Sequence, residues 1–222
     1  MEQKDIIAEG EPANREPSFE EILKMRPARS RMGGVLVHPT SFPSPFGIGD
    51  LGRGAYDFID FLAETKQHLW QVLPLGPTGF GDSPYQSLSA FAGQIYIISP
   101  EKLLEDGLLT EADFQDMPAW DPRRVDYGSA IEFKVSLLKK AFGNFEKETE
   151  SKLRKPFAEF IAKEKDWLED YALFMAVKDY HKGQAWLDWE DEIRDAKTFA
   201  KIEYSWMLKD QIRFYQFTQF LF

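Results

Sequence analysis

The sequence predicts an α/β fold in which a strand–helix–strand unit precedes a mainly helical second half. Gly33 to His38 (GGVLVH) is a short apolar, β-branched run closed by a proline, a pattern typical of a buried strand. Residues 53–65 carry apolar side chains at helical spacing, which predicts an amphipathic helix. His68 to Leu75 (HLWQVLPL) is a second apolar strand candidate. Short links between these elements predict a βαβ unit with parallel strands.

The remainder of the chain is predicted to be helical after one more extended piece at Gln94 to Ser99. Helical patterns cover residues 100–104, 110–116, 130–145, 150–180 and 196–222. We expect Gly107, Gly143 and Gly183 to interrupt these helices. Thr110 and Asp113 have the spacing of a capping box, which predicts a helix start at Thr110.

The first thirty residues differ from the rest, because they are charged, contain proline and show little apolar periodicity. We expect this N-terminal extension to be partly disordered. A single short helix is predicted from Ser18 to Met25, since Ser18 can cap it and Glu21 can complete a capping box. The chain is thus divided into an extension (1–30), an α/β part (31–99) and a mainly helical part (100–222).

The composition is that of a globular chain of 222 residues, 43% hydrophobic and 29% charged. Its 19 Phe, 8 Tyr and 6 Trp suit either a large core or a ring-binding cleft. A net charge of −10 argues against a nucleic-acid partner, which needs a basic surface. The absence of cysteine excludes disulfides. Without a targeting signal or a long apolar run, we expect a cytoplasmic protein that does not bind a membrane.

A turn-rich loop over residues 76–93 is the candidate binding site. Its glycines and prolines specify successive tight turns. Its side chains are mainly aromatic or polar: Phe80, Asp82, Ser83, Tyr85, Gln86, Ser87, Ser89 and Phe91. Such a set suits a sugar, whose C–H face stacks on an aromatic ring while its hydroxyls form directional hydrogen bonds. An ordinary surface connection has the same composition, so both interpretations stay open on chemistry alone.

Other site chemistries are not supported by the residue spacing. His38, His68 and His181 lie far apart without metal-ligand spacing, so no metal site is predicted. Ser83 lies in no nucleophile elbow, and the GFGDSP segment lacks the Lys-Ser/Thr ending of a phosphate loop. The acidic run at Glu190 to Glu192 falls in a helical stretch and is interpreted as a solvated face.

Aromatic residues in the helical half allow two interpretations. The tryptophans are expected to pack in the core or between helices, with a sugar platform as the alternative: Trp167, Trp186, Trp189 and Trp206. At the C-terminus, Ile212, Phe214, Phe217 and Leu221 form one apolar stripe that ends without a cap. We therefore expect the N-terminal portion of a longer protein, with a truncated last helix whose stripe lacks the sheet that it should cover.

Three stretches taken together resemble one enzyme family. They read GVLVHPTSFPSPFGIGDLG, HLWQVLPLGPTGFGDSPYQSLSAFAG and RVDYGSAIEFKVSLLKKAF, and they are similar to the N-terminal part of the 4-α-glucanotransferases of the α-amylase clan, also called amylomaltases or disproportionating enzymes. The similarity extends over roughly residues 31–222. It implies the N-terminal part of a TIM (β/α)8 barrel, with GVLVH and WQVLPL as its first two strands and a largely helical inserted subdomain.

The resemblance also implies an activity. Enzymes of this family transfer α-1,4-glucan segments between maltooligosaccharides, or to glucose, by a retaining mechanism with an Asp nucleophile and a Glu acid/base about 5 Å apart. The family motifs of the type IRIDHF and AEDLG, which carry these carboxylates, do not occur in this sequence. We therefore expect no catalytic residue in this chain and no activity from it alone. No cofactor and no metal are implied.

The part of the family site that carries over is the loop. Tyr85 matches the tyrosine that stacks on the sugar at the cleavage point, Ser83 matches a residue near the donor sugars, and Gln86 is expected to line the same side. Phe80 stands where many members have Tyr, so a stacking face is kept and a hydroxyl is lost. Two alternatives remain: a non-catalytic glucan-binding or helical interaction protein, and an α-amylase-clan hydrolase fragment.

Overall fold

A computed structural model describes residues 20, 21, 24, 31–79, 81, 83–121 and 123–222. The chain divides into two units, Met1–Gly33 and Gly34–Phe222. In the first unit, Glu20, Glu21 and Lys24 are helical and exposed, in line with the short helix predicted from Ser18 to Met25. The rest of that helix and the expected disorder of the extension lie outside the described residues.

The second unit begins with the predicted βαβ arrangement. Strand β1 (Gly34–Leu36) is followed by helix α1 (Arg53–Glu64) and strand β2 (Leu69–Gln71). The two strands pair in parallel, with Val35 opposite Trp70. Helix α1 turns Ala55 and Leu62 inward, as its apolar spacing predicts. The parallel pairing and the helix between the strands are therefore confirmed.

Both strands are shorter and more exposed than predicted. Leu36 and Leu69 are 56% and 45% exposed, so the prediction of a buried strand over residues 33–38 was wrong. The reason is that this sheet has two strands in the described part of the chain, and a two-stranded sheet leaves apolar side chains uncovered. Beyond β1, the backbone turns into a short 3-10 helix at Pro39–Ser41, capped by the His38 side chain.

The rest of the second unit is helical. The α-helices are α2 (Pro100–Glu105), α3 (Tyr127–Lys147), α4 (Arg154–Lys163), α5 (Lys165–Tyr180), α6 (Asp191–Arg194), α7 (Thr198–Met207) and α8 (Lys209–Leu221). Further 3-10 turns lie at Ile95–Ile97, Glu111–Phe114 and Trp186–Asp188. No helix in the described part of the chain is long and apolar enough to cross a bilayer.

Three local predictions need correction. The piece from Gln94 to Ser99 is a 3-10 turn rather than a strand, because its buried backbone forms local bonds such as Ile98 N to Ile95 O (3.2 Å). Gly143 lies inside α3 and does not interrupt it, since one glycine costs a helix only about 1 kcal/mol. The predicted helices over 150–180 and 196–222 are each divided into two. The Thr110–Asp113 capping box is confirmed, although it starts a 3-10 turn.

The core lies among the helices. Helix α8 packs against α3, α4 and α5, and Phe217 is fully buried with its ring 4.7 Å from that of Phe145. Phe214 is also buried, while Ile212 and Leu221 are half-buried. The expectation of an uncovered apolar stripe was therefore wrong, because neighbouring helices cover it in place of a sheet.

The tryptophans divide between core and surface. Trp189 is buried and Trp167 is half-buried, as expected for core and helix-docking roles. Trp186 and Trp206 are 49% and 84% exposed, so a core role was wrong for these two residues.

Candidate functional site

The loop over residues 76–93 is closed at its stem like a hairpin. Thr78 and Ser87 form an antiparallel bridge. Next to it, the amide of Gly79 donates a hydrogen bond of 2.7 Å to the carbonyl of Gln86. These pairings hold the two sides of the loop together at its stem, and the described residues at its end, 81 and 83–86, are called the tip below. The local cause is the turn chemistry of the sequence, which places glycine and proline around the tip.

The tip brings three predicted site residues into one turn. The amide of Gln86 donates to the carbonyl of Ser83 at 3.0 Å, and the amide of Tyr85 donates to the Ser83 hydroxyl at 3.4 Å. Gly81 has φ of +75°, a left-handed conformation that glycine adopts without strain. Ser83 is half-buried, whereas Tyr85 is 72% exposed and Gln86 is also exposed. The turn therefore presents an aromatic face beside a hydroxyl and an amide.

Phe80, the fourth predicted site residue, lies outside the described residues, and so does Asp82. The stacking role expected of Phe80 stays a prediction. The described part of the tip presents the side chains of Tyr85, Ser83 and Gln86.

Two buried polar residues support the base of the loop. The side-chain amide of Gln94 donates to the Thr78 hydroxyl (3.1 Å) and to the Gly76 carbonyl (3.3 Å). The Tyr96 hydroxyl lies 2.5 Å from the Thr78 hydroxyl. Sequence reasoning missed Gln94 and Tyr96, which it treated as part of a strand. The sequence feature that could have indicated their role is the presence of two polar groups in an otherwise apolar run. Buried polar groups need hydrogen-bond partners, so such residues are candidates for supporting contacts.

A cavity of about 210 Å3 lies under the loop and reaches the turn that follows β1. It is lined in part by His38, Thr40, Pro84 and Tyr127. His38 Nδ1 lies 2.8 Å from the Thr40 hydroxyl and accepts a longer bond from the Thr40 amide. Burial lowers the pKa of His38, and the Pro74 carbonyl opposes this shift. Burial therefore favours the neutral form of the ring, in which Nδ1 can accept the bond from the Thr40 amide.

A wider cleft of about 850 Å3 is also lined by this turn. Its walls include Ser44, Trp120, Arg124 and Tyr127. Gly47 has φ of +82°, and a Cβ built there would overlap the Trp120 ring, so this wall requires glycine. This cleft was not predicted from the sequence. The sequence feature that could have indicated it is the stretch after β1, because its many prolines and glycines predict a rigid loop.

Both candidate regions follow the carboxyl ends of the parallel strands. One wall of the cleft is built from the segment after β1, and the loop is part of the segment after β2. In the described part of the chain, no group of three or more His, Asp or Glu side chains is placed to hold a metal ion. The described residues of the loop present an aromatic ring, hydroxyls and an amide, groups that can stack on and hydrogen-bond to a polar ligand.

Comparison with known proteins identifies similar sequences. A family model described as 4-alpha-glucanotransferase matches residues 37–222. The 4-alpha-glucanotransferases of Synechocystis sp. and Thermus thermophilus are each 47% identical to this chain. In both cases the match covers 86% of this chain and 38% of the relative. The chain therefore spans little more than a third of the length of these curated relatives.

Solved structures show the same similarity. Amylomaltase from Streptococcus agalactiae in complex with acarbose superposes with a TM-score of 0.82 at 40% identity, covering 87% of this chain and 39% of that chain. Amylomaltase from Corynebacterium glutamicum gives a TM-score of 0.57 at 20% identity, covering 86% of this chain. The second likeness concerns the fold alone.

Proposed function

Because this chain belongs to the 4-alpha-glucanotransferase family, we propose that it forms the donor-side part of an enzyme that transfers α-1,4-glucan segments between maltooligosaccharides, or to glucose. The observation that carries this proposal is Tyr85, whose side chain is exposed on a turn with a fixed backbone. An aromatic ring held in solvent has unused stacking surface. A glucose unit supplies the complementary C–H face.

Ser83 and Gln86 give the same turn its polar groups. Both residues belong to the hydrogen-bonded turn that holds Tyr85. A hydroxyl and a side-chain amide can each donate and accept hydrogen bonds, as the hydroxyls of a sugar require. We infer that Tyr85 stacks on the glucan, while Ser83 and Gln86 bind its hydroxyls. We expect Phe80 to add a second stacking face.

We further propose that β1 and β2 are the first two strands of a TIM barrel. The supporting observations are their parallel pairing and the helix that connects them. In TIM-barrel enzymes the active site is built from the loops at the carboxyl ends of the strands. The binding loop and one wall of the 850 Å3 cleft follow such ends. The helices from α2 to α8 are then an inserted subdomain.

In this proposal the chain binds and orients the donor glucan, and we assign no catalytic residue to it. Retaining transfer needs a carboxylate nucleophile and a carboxyl acid/base about 5 Å apart. Tyr85 would contribute by holding the reacting sugar in register, because binding energy realised at the transition state lowers the barrier.

Binding can be tested directly on the 222-residue chain. Titration with maltohexaose should give saturable binding, and Tyr85→Ala should weaken it. Cellohexaose, which has β-1,4 links, is the matched ligand control and should bind more weakly. Equal affinity for both ligands, or none for maltohexaose, would contradict a donor site for α-1,4-glucans.

Transfer is tested on the protein encoded by the complete reading frame that contains this sequence. Incubation with maltotriose should give glucose together with oligomers longer than maltotriose. Glucose and maltose without longer products would favour a hydrolase of the same clan.

A second candidate is a non-catalytic glucan-binding or helical interaction protein. Helix α7 favours it, because Phe199 and Trp206 are 87% and 84% exposed there. Large aromatic side chains exposed together are typical of a surface that binds a partner. If the complete reading frame yields no products from maltotriose while the chain binds maltohexaose, this second function is supported.

A further inference from the structure

The binding loop ends in a clamp formed with helix α8. The amide of Gly93 donates to Gln219 Oε1 at 2.7 Å, and Gln219 Nε2 donates to the Gly93 carbonyl at 3.0 Å. Gln219 is only 4% exposed, and both bonds are buried. One primary amide thus pairs with both backbone groups of a residue 126 positions away. Without it, two buried backbone groups would lose their partners.

The approach of α8 to the loop is close. A Cβ built on Gly93 would overlap the aromatic ring of Phe222, and no left-handed φ is required at this position. Glycine is therefore needed at residue 93 for space rather than for backbone conformation. The Phe222 ring thus lies directly against Gly93, the residue whose backbone Gln219 holds.

The clamp is continuous with the support of the loop stem. Gly93 adjoins Gln94, whose amide donates to the Leu75 carbonyl at 2.7 Å. The Gln94 side chain binds Gly76 and Thr78, at the start of the loop. Both ends of the loop therefore converge on the Gly93–Gln94 peptide, and Gln219 fixes that peptide to the helical core.

A second contact holds the loop on the same side. The Phe91 ring stacks on Trp167 of α5, with centroids 6.3 Å apart and planes inclined by 21°. Phe91 is nevertheless 74% exposed, so the stack buries little apolar surface and gains little stabilisation from the hydrophobic effect. The buried amide pair of Gln219 is the stronger of the two attachments.

We propose that Gln219 is a positioning residue that sets the conformation of loop 76–93 and thereby the placement of Tyr85 toward a glucan. This inference rests on the proposed function, because the loop is taken to be the glucan site. Gln219 acts through Gly93 and Gln94 and does not touch the sugar.

Amide hydrogen exchange of the 222-residue chain tests the clamp itself. In Gln219→Leu, peptides that cover residues 76–93 should exchange at least about tenfold faster, while those of α3 and α5 keep their protection. Gln216→Leu is the matched control, because Gln216 lies on the same helix and faces a cleft between α5, α7 and α8. Unchanged loop exchange in Gln219→Leu, or equal acceleration in α3 and α5, overturns the inference.

A second pair of variants tests the same clamp without altering Gln219. Gly93→Ala should accelerate loop exchange, because its methyl group meets the Phe222 ring. Gly93→Ala combined with Phe222→Ala should restore protection toward the wild-type level. Failure of the double variant to restore any protection counts against the close approach of α8 as the cause.

Affinity separates this inference from the proposed function. Gln219→Leu should bind maltohexaose about tenfold more weakly than wild type, and Gln216→Leu should bind like wild type. Faster loop exchange with unchanged affinity would overturn the positioning role. If the wild-type chain binds no maltohexaose, the proposed function fails, and the exchange experiment alone decides whether Gln219 fixes the loop.

Discussion

The carboxylate of Asp50 and the ammonium of Lys134 form a buried ion pair, with 2.6 Å between Oδ2 and Nζ and side chains 7% and 2% exposed. Asp50 also accepts a bond from the Gly52 amide at 2.9 Å, and the Phe46 ring lies 5.9 Å from Lys134 Nζ. Burial lowers the pKa of Lys134, and Asp50 opposes that shift. The pair fixes the segment that lines the larger cleft to the middle of α3.

We predict that Lys134→Met lowers the free energy of unfolding by about 3–5 kcal/mol, because it leaves the Asp50 carboxylate buried without its counter-ion. Urea unfolding followed by circular dichroism measures the change. Lys139→Met, at an exposed position of the same helix, should change stability by no more than about 0.5 kcal/mol.

The double variant Asp50→Asn with Lys134→Met identifies the pair as one unit. The decrease in the free energy of unfolding of the double variant should be clearly smaller than the sum of the decreases in the two single variants, because no charge is then left unpaired. Additive losses would mean that each residue acts through separate contacts.

The stability of the chain should depend on His38 at mildly acidic pH. Burial holds the pKa of His38 below its ordinary value of 6.5. Between the two values the unfolded state binds a proton that the folded state does not, so stability falls as pH decreases through this window. Unfolding free energies at pH 7.5 and 5.5 should therefore differ less in His38→Gln than in wild type.

A difference between the two pH values that is the same in His38→Gln and in wild type would assign the pH dependence of stability to groups other than His38.

Substitutions of Tyr85 should separate its ring from its hydroxyl. In the protein encoded by the complete reading frame, Tyr85→Ala should lower kcat more than it raises KM, since stacking lost in the transition state raises the barrier. Tyr85→Phe should cost less, because the aromatic face remains. Steady-state kinetics with maltotriose give both parameters. Negligible effects from both substitutions would mean that Tyr85 does not contact the reacting sugar and is an ordinary surface residue.

Local patterns predicted the elements whose causes are local. The spacing of Ala55 and Leu62 identified α1, and Thr110 with Asp113 identified a cap. The composition of residues 76–93 identified the loop, because tight turns need glycine and proline. Predictions failed where distant partners decide the structure.

Two residues show why the remainder could not be predicted. Lys134 has the appearance of a solvated helical lysine, yet its partner Asp50 is 84 positions away. Gln219 is a polar residue on the helix that carries the apolar stripe, and the peptide that it holds is 126 positions away. Nothing local marks either pairing. The packing of the α8 stripe could not be predicted locally either, because the stripe is covered by other helices of the chain rather than by a sheet.

The 222-residue chain should self-associate through its small sheet and show no transfer activity. Leu36 and Leu69 are exposed on β1 and β2, and in the described part of the chain each strand pairs only with the other. Unpaired strand edges favour pairing between molecules. Sedimentation velocity should show oligomers that decrease in Leu36→Lys. If Ile202→Lys on α7 has the same effect, the helical surface rather than the sheet is responsible.

The helical core should nevertheless unfold cooperatively, with Phe217 at its centre. Its ring is fully buried, 4.7 Å from that of Phe145 and 6.0 Å from that of Phe157. Phe217→Ala removes these contacts and leaves a cavity, so the free energy of unfolding should fall by about 3–5 kcal/mol. Phe199→Ala makes the same chemical change at a position that is 87% exposed, and its cost should stay within about 0.5 kcal/mol. Equal losses from the two variants in urea unfolding would mean that α8 does not pack into the core in solution. A large loss confined to Phe217→Ala would show that α8 packs into the helical core without a covering sheet.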